Sequence, residues 1–124
     1  MGDEKLTSKH NPISKHYLVD VFGCDESVLN SEKDLYSTLL IAVEEAGSTC
    51  LGGMARSFSP QGVTVLLSLA ESHASIHTWP ELGQALIDYH VCGPHDFSKF
   101  MSAIQKRICA KKIDVKEISR GINN

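Results

Sequence analysis

The chain has 124 residues, 42% of them hydrophobic, with 12 basic and 15 acidic side chains and a formal net charge of −3. That length is one domain's worth, and roughly two-thirds of its unfolded surface can be hidden in a single core without staples. Charges of both signs are mixed along the whole length, which excludes a basic stripe for nucleic acid or a polybasic patch for an anionic membrane and leaves a small molecule or another protein as the partner.

The opening MGDEKLTSKHNPISKH is polar. It lacks the apolar core of a signal peptide, and no later run approaches the ~18 apolar residues of a membrane span, so a cytoplasmic location is expected. Residues 1–15 read as a loose tail and 16–124 as a single domain. Tyr17 to Phe22 is β-branched and aromatic and stops at Gly23, which predicts a strand. From Ser31 the period changes: Leu35, Tyr36, Leu39, Leu40 and Val43 share a helical face. Asn30 or Ser31 can cap its start, and Gly47 suits a left-handed residue at its end. A strand follows from Thr49 to Met54, extending toward Phe58, and meets a turn at Ser59-Pro60-Gln61-Gly62. Val63 to Leu69 reads as a buried strand, Ser75 to Thr78 as a short one and Ala85 to Val91 as another. Trp79 to Gly83 is a break, and Cys92-Gly93-Pro94 ends the third of these strands. Phe97, Phe100, Met101, Ile104 and Ile108 mark a second amphipathic helix capped by Asp96, and Ile113 to Ile118 alternates as a last strand.

Consecutive central strands joined by short turns predict antiparallel pairing, and two helices suffice to cover one face. The expected fold is therefore an α+β two-layer sandwich, a mainly antiparallel sheet with two helices on one side. Its other face needs a cover. A second copy of the chain is the simplest one, giving a homodimer with sheets face to face in an αββα arrangement.

The four cysteines, Cys24, Cys50, Cys92 and Cys109, form no C-x-x-C pair, which argues against a zinc knuckle or a dithiol redox couple. The densest group of reactive side chains is the run Glu71-Ser72-His73-Ala74-Ser75-Ile76-His77-Thr78-Trp79-Pro80-Glu81. Taken alone, a serine and two histidines between strands are ordinary surface polar residues. His73 and His77 would share a helical face and could bind a metal, but in a strand they lie ~13 Å apart, so no metal is expected.

The run ESHASIHTWPE, with Cys92-Gly93 following twenty residues after Ser72, resembles the ESH...IHTWPE...CG hallmark of the bacterial and archaeal S-adenosylmethionine decarboxylases. The segments KHYLVDVFGCD and SFSPQGV and the final helix and strand are similar to that family as well. The resemblance implies a proenzyme that breaks its own backbone between Glu71 and Ser72, leaving residues 1–71 as one subunit and 72–124 as the other. Ser72 would become a pyruvoyl group, which would form a Schiff base with the substrate amine and do the work of pyridoxal phosphate. His77 is implied as the base of the processing step and Cys92 as the proton donor in catalysis, roles suited to an imidazole and a neutral thiol. Thr64 stands where the family usually has a serine that helps processing. Phe58 would stack on adenine and Glu81 would bind the ribose hydroxyls. The implied function is decarboxylation of S-adenosylmethionine to the aminopropyl donor of spermidine synthesis.

The chain departs from the family at Leu82-Gly83, where Tyr-Gly is usual, and at His90-Val91, where Phe-Thr is common. Those positions leave open an arginine or ornithine substrate with the same processing apparatus. Two readings of other classes stand beside it: a non-catalytic regulatory relative, and a metal-binding module built on His73, His77 and Cys92.

Overall fold

The computed structural model describes residues 12–122. Six strands form one sheet in the order β2-β3-β4-β5-β1-β6, and every neighbouring pair is antiparallel. They are β1 (Ser14–Phe22), β2 (Cys50–Ser57), β3 (Val63–Leu69), β4 (Ser72–Trp79), β5 (Gln84–Cys92) and β6 (Lys112–Arg120). The helices are α1 (Glu26–Leu29), α2 (Glu32–Glu45) and α3 (Phe97–Ile108), with a 3-10 turn at Pro80–Leu82. None of the helices is long and apolar enough to cross a membrane.

The two long helices form where their periodicity predicts. Ser31 caps α2 by accepting from the Asp34 N–H, and Asp96 caps α3 by accepting from the Lys99 N–H. Gly47, at φ 100°, ends α2: its N–H reaches the Glu44 carbonyl while that of Ser48 reaches Val43, the paired bonds of a Schellman motif. Asn30 is not the cap of α2. It closes α1, a single turn that Asp25 caps through the N–H groups of Ser27 and Val28, and four residues are too few to carry a period.

The strands run longer than their apolar cores suggest. β1 starts at Ser14 because it pairs on both sides, Ser14 facing Cys92 on β5 and Arg120 on β6. Ser14 and Lys15 therefore belong to the sheet and not to the tail; residues 1–11 lie outside the described residues. β4 begins at Ser72, which pairs with Leu69 on β3, and from His73 it pairs with β5 as well.

One face of the sheet, carrying Tyr17, Val19, Val21, Val65, Leu67, Ile76, Ile87 and Tyr89, packs under Leu35, Leu39, Val43, Phe100, Ile104 and Ile108. Tyr89 stacks on Phe100 at 4.3 Å and Tyr17 on Phe97 at 3.9 Å. The helices lie on this side, so the fold is the expected two-layer α+β sandwich. The opposite face alternates out of the same strands and is left open, with Met54 at 52% exposure and Leu66 at 43%, alongside Leu86, Ile118 and a set of histidines.

Candidate active site

Strands β3 and β4 are joined by only two residues, Ala70 and Glu71, between the pair Leu69 and Ser72. Closing so short a hairpin puts Glu71 at φ 66°, a left-handed conformation that is strained for a residue with a Cβ. The hydroxyl of the next residue, Ser72, is buried and has no hydrogen-bond partner among the described residues. β5 ends beside this turn, and the Cys92 thiol donates to the Glu71 carbonyl oxygen at 3.4 Å. A strained peptide, a free hydroxyl on the residue that follows it and a donor on its carbonyl oxygen thus meet at one bond.

A second cluster occupies the other end of β4. Thr64 and His77 face each other across β3 and β4, and the Thr64 Oγ1 lies 3.0 Å from His77 Nδ1. They line a cleft of about 310 Å³ that also takes in Phe58, Gly62, Trp79 and Glu81. Its walls are braced from below. Thr78, buried, accepts from the Val63 N–H and donates to the Leu29 carbonyl, while Asn30 holds the Gly62 N–H. Gly62 has φ 106°, and a Cβ there would lie 3.2 Å from the Thr78 carbonyl oxygen. Gly83, at φ 64°, closes the turn that carries Glu81, and its carbonyl accepts from the Cys24 N–H at 2.9 Å.

The structure brings together Glu71, Ser72 and Cys92, and separately Phe58, Thr64, His77 and Glu81, but it does not bring the two groups to each other. His77 is five residues along β4 from Ser72 and pairs with Leu86, six residues along β5 from Cys92. At about 3.3 Å per strand residue those separations are roughly 16 and 20 Å. Both His77 and Cys92 point from the open face. A metal module of His73, His77 and Cys92 fails on the same spacing, and among the described residues no three His, Cys, Asp or Glu side chains are grouped to hold an ion.

Three histidines that no sequence motif connects lie beside Cys92. Register sets His73 opposite His90 and His90 opposite His16, with ring centroids 5.4 and 4.9 Å apart. Burial, followed by the charges of His16, His73 and Arg120, holds the His90 imidazole below its ordinary pKa. Only strand register joins these positions, and no local spacing announces it. The remaining cysteines stand apart from the site chemistry: burial pushes the Cys24 thiol up to about 11, aided by nearby Cys109.

A strained Glu-Ser peptide thus stands at one hairpin of β4 and an aromatic-acidic cleft at the far end of the same strand. Residues 15–121 match the family described as S-adenosylmethionine decarboxylase. An S-adenosylmethionine decarboxylase proenzyme of Methanococcus maripaludis is 42% identical over 114 residues, covering 89% of this chain and 91% of its own. One from Clostridium tetani is 35% identical, covering 90% of each chain. The crystal structure of the adenosylmethionine decarboxylase from Aquifex aeolicus superposes with a TM-score of 0.82 at 34% identity, over 91% of this chain and 94% of that one. A Trypanosoma brucei enzyme structure, 14% identical with a TM-score of 0.62 over 82% of this chain and 44% of its own, shows the fold alone. The chain belongs to the S-adenosylmethionine decarboxylase family.

Proposed function

We propose that the chain cleaves itself between Glu71 and Ser72 and then decarboxylates S-adenosylmethionine, at sites each shared by two copies. The observation that carries this is the Cys92 thiol on the carbonyl of a Glu71 held at φ 66°, with the Ser72 hydroxyl buried and unpartnered beside it. Those residues fit the making of a pyruvoyl group. Ser72 Oγ attacks the Glu71 carbonyl carbon, the C–N bond breaks, and an ester replaces the amide; the Cys92 S–H stabilises the oxygen as it gains charge. Relief of the left-handed Glu71 conformation, about 1–3 kcal/mol, favours the step.

The ester is next eliminated by removal of the Ser72 α-proton. His77 is suited to remove it, because with Nδ1–H donated to Thr64 its Nε2 lone pair is free. Its own Ser72 lies out of reach, so the base comes from the partner subunit. A two-fold axis running between the open faces and across the strands carries Thr64 and His77 of one copy over Cys92 of the other, and the exposed Met54 and Leu66 supply apolar contact between the sheets. Loss of ammonia leaves the pyruvoyl group on residue 72.

That group supplies a ketone that condenses with the substrate amine and accepts the electrons released with carbon dioxide. The chain's residues hold the substrate and return a proton. Phe58 and Glu81 in the cleft stack on the adenine and accept from the ribose hydroxyls, and the Phe58 face also attracts the sulfonium charge. Cys92 protonates the substrate carbon. The product is the aminopropyl donor for spermidine, made in the cytoplasm. Carbon dioxide release from S-adenosylmethionine, arginine and ornithine, measured side by side on protein whose fragments 1–71 and 72–124 are verified by mass spectrometry, tests the reading. Release from S-adenosylmethionine alone is expected; a chain that stays intact, or that prefers arginine or ornithine, overturns it.

A further inference from the structure

Ser14, His16, His73 and His90 take no part in the steps above, yet they share a sheet face with Cys92. Cys92 is two residues beyond His90 on the same face of β5 and directly opposite Ser14 on β1. Opposed side chains in such a pair have Cβ atoms about 4.5–5.5 Å apart. Ser14 is buried, and its Oγ lies 2.7 Å from His90 Nε2. His90 stacks in turn on His16, whose Nδ1 is 3.4 Å from the Arg120 guanidinium. The His16 Nε2 sits 3.3 Å from the Asp88 carboxylate, close enough for attraction though not aligned for a hydrogen bond.

Decarboxylation replaces a carbon–carboxylate bond by a carbon–hydrogen bond, so every turnover consumes one proton. If Cys92 gives that proton, it is left a thiolate and must be recharged from solvent before the next substrate. In the intact chain the thiol is engaged by the Glu71 carbonyl; once that peptide is cut, Ser14 is the hydroxyl facing it.

We propose that Ser14 and His90 form the relay that returns the proton to Cys92, an inference that rests on Cys92 being the donor. The Ser14 O–H proton passes to the Cys92 sulfur, Ser14 Oγ takes the proton on His90 Nε2, and His90 Nδ1 takes one from a solvent acid. One proton crosses from solvent to sulfur, and His90 changes tautomer without gaining net charge. The groups facing His90 are His73 on β4, Asp88 and Cys92 on β5, Ser14 and His16 on β1, and Arg120 on β6. Three of these are basic, and burial followed by their charges holds the imidazole below its ordinary pKa, which favours passing a proton on over retaining it. His16 and Asp88 position the ring.

The test uses the full-length, processed protein. His90→Phe keeps an aromatic ring stacked on His16 and checks that folding and cleavage survive; His90→Ala and Ser14→Ala are the working variants. Both should lose about tenfold in kcat with KM unchanged, and added imidazole should restore His90→Ala but not Ser14→Ala. A readout without turnover is alkylation of Cys92 by iodoacetamide, followed by mass spectrometry. Losing the donors to the thiolate should move its pH midpoint up by about half to one unit. Wild-type kcat and midpoint in both variants, or a change confined to KM, overturns the relay. Cys92→Ala separates the two claims. Full turnover there removes Cys92 as donor, whereas an impaired Cys92→Ala beside normal Ser14 and His90 variants removes the relay alone.

Discussion

The Cys92 sulfur lies 3.4 Å from the carbonyl oxygen of Glu71, a residue 21 positions earlier in the chain. β5 ends where the β3–β4 hairpin turns, so one thiol touches the carbonyl of the peptide proposed to break in processing and is also the proposed proton donor in catalysis. Cys92→Ala is expected to slow cleavage by about tenfold, a thiol being a weaker donor than those of an oxyanion hole, and to depress decarboxylation more. Time courses of the two fragments on denaturing gels and carbon dioxide release measure the two effects. Cleavage as fast as wild type would leave the contact without a role in processing.

Glu71 is the strained partner in that contact. Glycine occupies φ 66° without a steric penalty. In the uncleavable Ser72→Ala background, adding Glu71→Gly should therefore stabilise the chain by about 1 kcal/mol in urea unfolding. With Ser72 present, Glu71→Gly should lengthen the half-time of cleavage severalfold, because less strain is released. An unchanged half-time would mean that the conformation does not drive the reaction.

Elements with a sustained period were legible in the sequence. The face of α2 from Leu35 to Val43 and the buried run of β3 announce themselves, and so does the α3 face from Phe97 to Ile108 with its Asp96 cap. α1 does not, being one turn, and Ser72 and His73 extend β4 through pairing with β3 and β5 and not through apolar content. The candidate site residues are visible as a motif, but their arrangement is not. Ser72 and His77 stand close in the sequence, and extension of β4 carries them roughly 16 Å apart. Ser14, His16 and His90 come together by register alone.

The cleft carrying Phe58 and His77 leans on Thr78. Its buried hydroxyl accepts from the Val63 N–H at 2.9 Å and donates to the Leu29 carbonyl at 2.7 Å. Thr78→Val keeps the shape and leaves both backbone groups unsatisfied, which should cost about 2–3 kcal/mol in urea unfolding and raise KM for S-adenosylmethionine. A loss below about 0.5 kcal/mol would show that water replaces the hydroxyl.

Acid stability follows from His90. Its imidazole is held below the ordinary value of 6.5, first by burial and then by His16, His73 and Arg120. The unfolded chain therefore takes up a proton at this position before the folded one does. The stability this residue contributes is complete above pH 6.5 and is lost as pH falls through that value to the lower folded pKa. The melting temperature of wild type should drop more steeply than that of His90→Phe between pH 7 and 5. Equal slopes would indicate that His90 titrates alike in both states.

The separation of His77 from Ser72 makes the sharing of sites directly testable. A chain with Ser72→Ala cannot be cut but still offers His77; a chain with His77→Ala cannot eliminate its ester but still offers Ser72. Each homodimer lacks one function at both sites and stays unprocessed. In a mixed dimer, one site pairs the intact Ser72 of one chain with the intact His77 of the other, and that site is complete. Random pairing makes about half of the dimers mixed, each with one competent chain, so about a quarter of all chains should convert after equal co-expression. Every 72–124 fragment produced should carry His77→Ala, because only that chain keeps its serine. Residues 72–124 contain position 77, so the mass of the new subunit reports its origin. If His77 served its own Ser72, mixing would yield no pyruvoyl fragment at all, and the roughly 16 Å between them would have to close within one strand.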